Sequence, residues 1–77
     1  MTKVVVNLNE MSKLNGFVNE VATFESDVDA VRDHYIVDAK SIMGMFSFDL
    51  SKDVEIILHS DDEAEISRFI EVMKKYQ

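Results

Sequence analysis

The sequence predicts an α+β fold, with a four-stranded antiparallel sheet covered on one side by three helices in the order β-α-β-β-α-β-α. Three observations carry this. Four short runs alternate apolar and other residues with a period of two. Three stretches repeat apolar residues at spacings of three and four. No proline, low-complexity tract or repeat interrupts them, and with only two glycines, Gly16 and Gly44, no linker divides residues 1–77. The chain is therefore read as one small domain. An antiparallel sheet of this kind keeps one face open to water.

Val4, Val6 and Leu8 alternate with Val5 and Asn7, which predicts a strand over 2–8. Asn9 is placed to cap the following helix. Met11, Leu14, Val18 and Val21 then recur at helical spacing, giving an amphipathic helix over about 10–23. Gly16 lies inside it and weakens it by up to about 1 kcal/mol relative to alanine. Asp27–Arg32 and Tyr35–Ala39 both alternate and are separated by Asp33-His34 at hairpin distance. A two-residue hairpin favours glycine where φ is positive, and His34 is expected to take that position. Val37 and Ala39 end the strand, and Ser41 stands where a helix N-cap belongs. Ile42, Met43 and Phe46 fall within about 100° on a helical wheel while Met45 points away. This short helix thus has two apolar sides, of which Met45 is expected to face the core. Asp49–Asp53 is a polar connection, and Val54, Ile56 and Leu58 mark the fourth strand. Ser60 and Glu63 have capping-box spacing. Ile66, Phe69, Ile70 and Met73 predict the buried stripe of the last helix, with acidic residues at its start and Lys74 and Lys75 at its end, as its dipole favours.

Composition narrows the function. A chain this short buries a smaller share of its surface than a larger one. With no cysteine, neither a disulfide nor a thiolate metal site supports it, so 47% hydrophobic residues must do so by packing. The lack of cysteine is compatible with a reducing cytoplasm. Met1-Thr2-Lys3 leads straight into the first strand, which is too short for a signal peptide or membrane span. The formal net charge of −7 repels nucleic acid and anionic membranes. It serves solubility first, and complementarity to basic partner surfaces second.

Val37-Asp38-Ala39-Lys40-Ser41-Ile42-Met43-Gly44, together with Asp27-Val28-Asp29 upstream, resembles HPr, the histidine-containing phosphocarrier family of the bacterial sugar phosphotransferase system. The match in residues is sharp from Phe24 to Leu50, and the element order is that of the family across nearly the whole chain. The resemblance implies an HPr-like open-faced β-sandwich. It also implies a regulatory serine at Ser41. The family relays phosphoryl groups through a histidine in a Gly-x-His-x-Arg-Pro type motif after the first strand, where the imidazole is the nucleophile and the helix N-terminus and arginine favour the phosphate. This chain departs from it. Glu10 falls at the histidine, Ser12 at the arginine and Lys13 at the proline, and the first histidine anywhere is His34. The nearest likeness is the catabolite-repression paralogue of HPr, in which a glutamine replaces the active histidine.

Other candidates are weaker. His34 on a hairpin tip and His59 at a strand end read as solvated surface residues, and their spacing does not suggest a metal pair. Asp61, Asp62, Glu63 and Glu65 lack the glycine and alternating ligands of a calcium loop and read as a solvated first helical turn. No cofactor, metal or small-molecule substrate is expected. The expected function is a non-enzymatic, cytoplasmic regulatory or interaction domain linked to the phosphotransferase system. Ser41 is its phosphorylation site and Ile42, Met43 and Phe46 form its docking patch. The expected partners are proteins, such as HPr kinase or a transcriptional regulator. The alternatives are a working phosphocarrier with an atypical acceptor, and a purely structural module of the same fold.

Overall fold

The computed structural model describes residues 1–77. Its elements are β1 (Thr2–Val6), α1 (Met11–Val21), β2 (Val28–Arg32), β3 (Tyr35–Asp38), α2 (Ile42–Met45), β4 (Val54–Leu58) and α3 (Glu63–Met73), followed by a 3₁₀ turn over Lys74–Tyr76. The predicted order is found. The strands form one antiparallel sheet in the spatial order β1-β4-β2-β3. β4 thus sits between β1 and β2, and each of the two helical connections α1 and α2 carries the chain past one intervening strand. Val4 pairs with Ile56, and Ile56 with Ala30, so the valine and isoleucine positions line up across the sheet.

One face of the sheet is buried under the helices. Val6, Val28, Ala30, Val54, Ile56 and Leu58 meet Leu14, Phe17, Val18 and Val21 of α1, Met45 of α2, and Phe69 and Met73 of α3. All 17 buried residues are hydrophobic, and no polar side chain is buried without a partner. Phe17 packs edge-on against Tyr76 and Phe24 against Phe69, with ring centroids 5.3 and 5.8 Å apart. Both are favourable aromatic geometries.

Several local expectations are corrected. Asn9 does not cap α1. Its backbone N–H is turned to the Asn7 side chain, and Glu10 occupies the cap position without making a side-chain capping bond. The strand stops at Val6 because the Asn7 backbone N–H leaves the sheet for the carbonyl of Tyr76, 2.8 Å away. The core face of α1 takes Phe17 in place of Met11, which lies exposed at the helix's first position. In the hairpin, positive φ falls on Asp33 (φ 53°), not His34. This is the first of the two turn residues, the position where a type II′ turn requires it, and aspartate tolerates it better than most residues. The cap of α3 is Asp62, whose carboxylate accepts from the Ala64 N–H at 3.0 Å, and Ser60 instead accepts from Asp62 N–H. Glu65 stands at capping-box distance from Asp62 but reaches away to Ser26. Ile70 is exposed, so the buried stripe of α3 is narrower than its periodicity suggests.

Candidate functional site

The segment joining β1 to α1 is held at both ends. Asn7 donates from its side chain to Asp53 (3.1 Å) and from its backbone to Tyr76, which pins the loop to the start of β4 and to the C-terminal turn. Glu10 follows, exposed, with an extended backbone (φ −120°, ψ 139°), and its carbonyl accepts the first helical bond from Leu14. Ser12 is exposed and Lys13 half-buried in the first turn, which contains no acidic residue of its own. Glu10 therefore stands at a helix N-terminus, where an anion is favoured by the free N–H groups.

Neither histidine comes to this place. His34 lies at the same end of the sheet but on the β3 edge, three strands away, or roughly 14 Å at ordinary strand spacing. His59 follows the last residue of β4, and because Leu58 pairs with Thr2 while Val54 pairs with Val6, it lies at the far end of the sheet. Its Nε2 meets Asp29 Oδ2 at 2.8 Å.

The second part of the site is the turn into α2. Ala39 is buried and continues the sheet bonding to the Val28 carbonyl (2.8 Å). Asp38 then organises the turn: its carboxylate accepts from the Lys40 N–H and its carbonyl from the Ser41 N–H. Ser41 is the expected cap. It is half-exposed, its backbone is extended, and its Oγ accepts from the Gly44 N–H at 3.1 Å. A Cβ on Gly44 would stand 3.4 Å from Cβ of Val37 and 3.5 Å from Ser41 Oγ, ordinary contact distances, so the helix packs closely on β3 without requiring glycine there. The Lys40 ammonium is turned away from Ser41 and donates to the Phe24 carbonyl at 2.8 Å.

The three patch residues separate. Met43 is 77% exposed and Phe46 47% exposed, whereas Ile42 is half-buried against the core that Met45 enters completely. Ile42 sits on the wheel between Met45 and Phe46, at the boundary of the two sides, and the core takes much of its surface. Phe46 also joins the first part of the site. Together with Leu8, Glu10, Met11, Phe48 and Leu50 it lines an open groove of about 240 Å³ between the start of α1 and the end of α2. Sequence periodicity assigned Met11 to the core and so missed this wall. Its position as the first residue of α1 was the available signal.

Elsewhere, the strongest electrostatic perturbation is at Glu65. The Ser26 hydroxyl, with that of Ser60 and the Ser26 and Glu25 N–H groups, holds its carboxyl down at about 2. Tyr76 is pushed up to about 12 by burial and by the Glu20 carboxylate that accepts its hydroxyl at 2.7 Å. These pairs fasten α3 and the C-terminal turn to the rest of the chain and lie outside the site.

Comparison with known proteins agrees with this architecture. The family described as "PTS HPr component phosphorylation site" matches residues 14–76, a span that begins just after Glu10-Met11-Ser12-Lys13. No curated protein sequence gives a significant match. Among solved structures, the crystal structure of HPr-C-His from Thermoanaerobacter tengcongensis is similar with a TM-score of 0.75 at 24% identity, over 96% of this chain and 92% of that one. The phosphocarrier protein HPr from Bacillus anthracis str. Ames is similar with a TM-score of 0.73 at 27% identity, over 99% of this chain and 94% of that one. The motif leading into α2, the β1-β4-β2-β3 sheet and the family match over most of the length all point the same way: the chain belongs to the HPr family of the phosphotransferase system.

Proposed function

We propose that this HPr domain is a regulatory and interaction module of the phosphotransferase system that does not carry phosphate on histidine. It acts in the cytoplasm by docking a protein partner on α2, and Ser41 is its phosphorylation site. The observation that carries the reading is the division of α2 itself. Met45 faces wholly inward, while Met43 and the C-cap residue Phe46 are left largely in water. Apolar side chains clustered on the surface beside an open groove are the usual mark of a contact site. Glu10 supports the rest of the reading, because a carboxylate repels an approaching phosphoryl group where an imidazole would attack it.

Phosphate on Ser41 would keep the Gly44 N–H as a partner, so the cap geometry favours a modified residue. With only four residues in α2, the helix dipole contributes at the low end of about 0.3–1 kcal/mol. Lys40 is held by Phe24 and Asp38 stands close by, so the phosphate gains no ion pair from its neighbours. Modification then changes the charge beside Met43 and Phe46 and leaves the fold intact, which switches partner binding and not stability. The test is incubation with HPr kinase and ATP, with Ser41→Ala as the control. The expected result is one phosphate on the wild-type chain, none on the variant, and a thermal midpoint unchanged within a few degrees. No modification at Ser41, or a large loss of thermal stability when it occurs, refutes the reading.

A further inference from the structure

We propose that the uncovered face of the sheet is a second docking surface, on the opposite side of the molecule from α2, and that it takes a basic amphipathic segment of a protein partner. Strand alternation puts Val4, Val6, Ala30, Val37, Ile56 and Leu58 towards the helices, so the residues between them point to solvent. In an antiparallel sheet with one wet face those positions are ordinarily polar. Here they include Val5 and Ile36, 50% and 67% exposed, and the half-buried Val31 and Ile57. The register brings them together. Val5 pairs with Glu55, Glu55 with Val31 and Val31 with Ile36, a row that crosses all four strands. The next row is Lys3, Ile57, Asp29 and Asp38.

The charges on this face identify the occupant. Glu55 lies in the middle of the apolar row and forms no ion pair; Lys3, diagonal to it, forms none either. Asp29 is partnered by His59, and Asp38 adds a third carboxylate. With three carboxylates to the single Lys3, a second copy of the chain would bring more like charges together than it could pair, which disfavours self-association through the face. An anionic surface is repelled for the same reason. A segment whose apolar side chains cover Val5, Val31, Ile36 and Ile57 while a lysine or arginine meets Glu55 satisfies both features. Because this face and α2 lie on opposite sides of the sheet, the domain would hold two partners at once.

The test is a titration of the full chain with a synthetic amphipathic helix of leucine and lysine, followed by amide and methyl NMR. The leucine–glutamate counterpart is the control peptide. Shifts confined to Val5, Val31, Ile36, Ile57 and their neighbours are expected, with no binding of the acidic peptide. Glu55→Gln should weaken binding at least about fivefold. Asp61→Asn, the same change of charge at an exposed site before α3, should leave it within about twofold. Ile36→Ser, at an exposed edge position that does not threaten the fold, should also weaken it. Absence of binding overturns the proposal. So do shifts that spread over the acidic surface or gather on α2, equal effects of the two charge changes, and a dimer in sedimentation of the protein alone that buries this face.

Discussion

Truncating α2 one residue at a time separates its inward side from its outward side. Met45 is fully buried in the shared core, so Met45→Ala removes apolar contacts that no rearrangement of a four-residue helix readily restores. Transfer of the deleted groups alone costs about 2–3 kcal/mol, and the cavity left behind brings the expected loss to about 3 kcal/mol within the usual range of about 2–5. Phe46 already has 47% of its surface in water, so Phe46→Ala should cost about 1 kcal/mol. A domain of this length has a total stability of roughly 4–12 kcal/mol. The first substitution therefore removes a large part of it, and lowers the melting temperature by roughly 12–24 °C against roughly 4–8 °C for the second. Urea denaturation followed by circular dichroism, with equal slopes required for both variants, measures the difference. If Phe46→Ala proves the more damaging, the outward side of α2 is core after all and the docking surface is lost.

Acid should weaken the fold through Glu65. Its carboxyl is held at about 2, below its ordinary value of 4.5. The stabilisation is thus complete above about pH 5, falls as the unfolded chain takes up the proton first, and is gone below the folded value. Glu65→Gln should flatten the stability profile in that window, as followed by thermal melts at stepped pH. Tyr76 behaves in the opposite sense. Raised from 10.0 to about 12, it stabilises the fold fully below pH 10 and loses that contribution as pH rises through the folded value. Tyr76→Phe should remove this alkaline dependence, and ultraviolet titration of the wild type should show one late-ionising tyrosinate. Asp62→Ala should cost about 1 kcal/mol by uncapping α3, and Ser60→Ala should cost less. The reverse ranking in chemical denaturation would restore Ser60 as the cap.

Much of the fold was legible in the sequence because its strands and helices differ in period. Val54, Ile56 and Leu58 can only share a face if they are extended, and Leu14, Val18 and Val21 only if they are helical. The order of strands in space was not legible. Nothing local in β4 says that it inserts between β1 and β2; that follows from how α1 and α2 carry the chain over the sheet. Caps were read one to two residues early, since Asn9, Glu10, Ser60 and Asp62 can each end an extended segment. The choice depends on distant partners, such as Tyr76 drawing in the Asn7 backbone and Ser26 drawing away Glu65. At the site, Ser41 was legible as a cap from its place between strand and helix. The groove was not, because it needs Met11 and Phe46, which are remote in sequence, to meet across two helices. Alternation separates the two faces of each strand, but only the register shows that Val5, Val31 and Ile36 fall in one row around Glu55 on the uncovered face.

The proposal that this domain carries no phosphate on histidine is tested most directly by intact mass. The chain is incubated with phosphoenolpyruvate and the general phosphotransferase enzyme, and weighed before and after acid treatment beside a competent HPr. With Glu10 at the start of α1, His34 on the far edge of the sheet and His59 at its far end, the mass of this chain should not change while the competent protein gains a phosphoryl group. A stoichiometric acid-labile adduct on His34 or His59, or an acyl phosphate on Glu10, would contradict the proposed function and make the domain a working phosphocarrier.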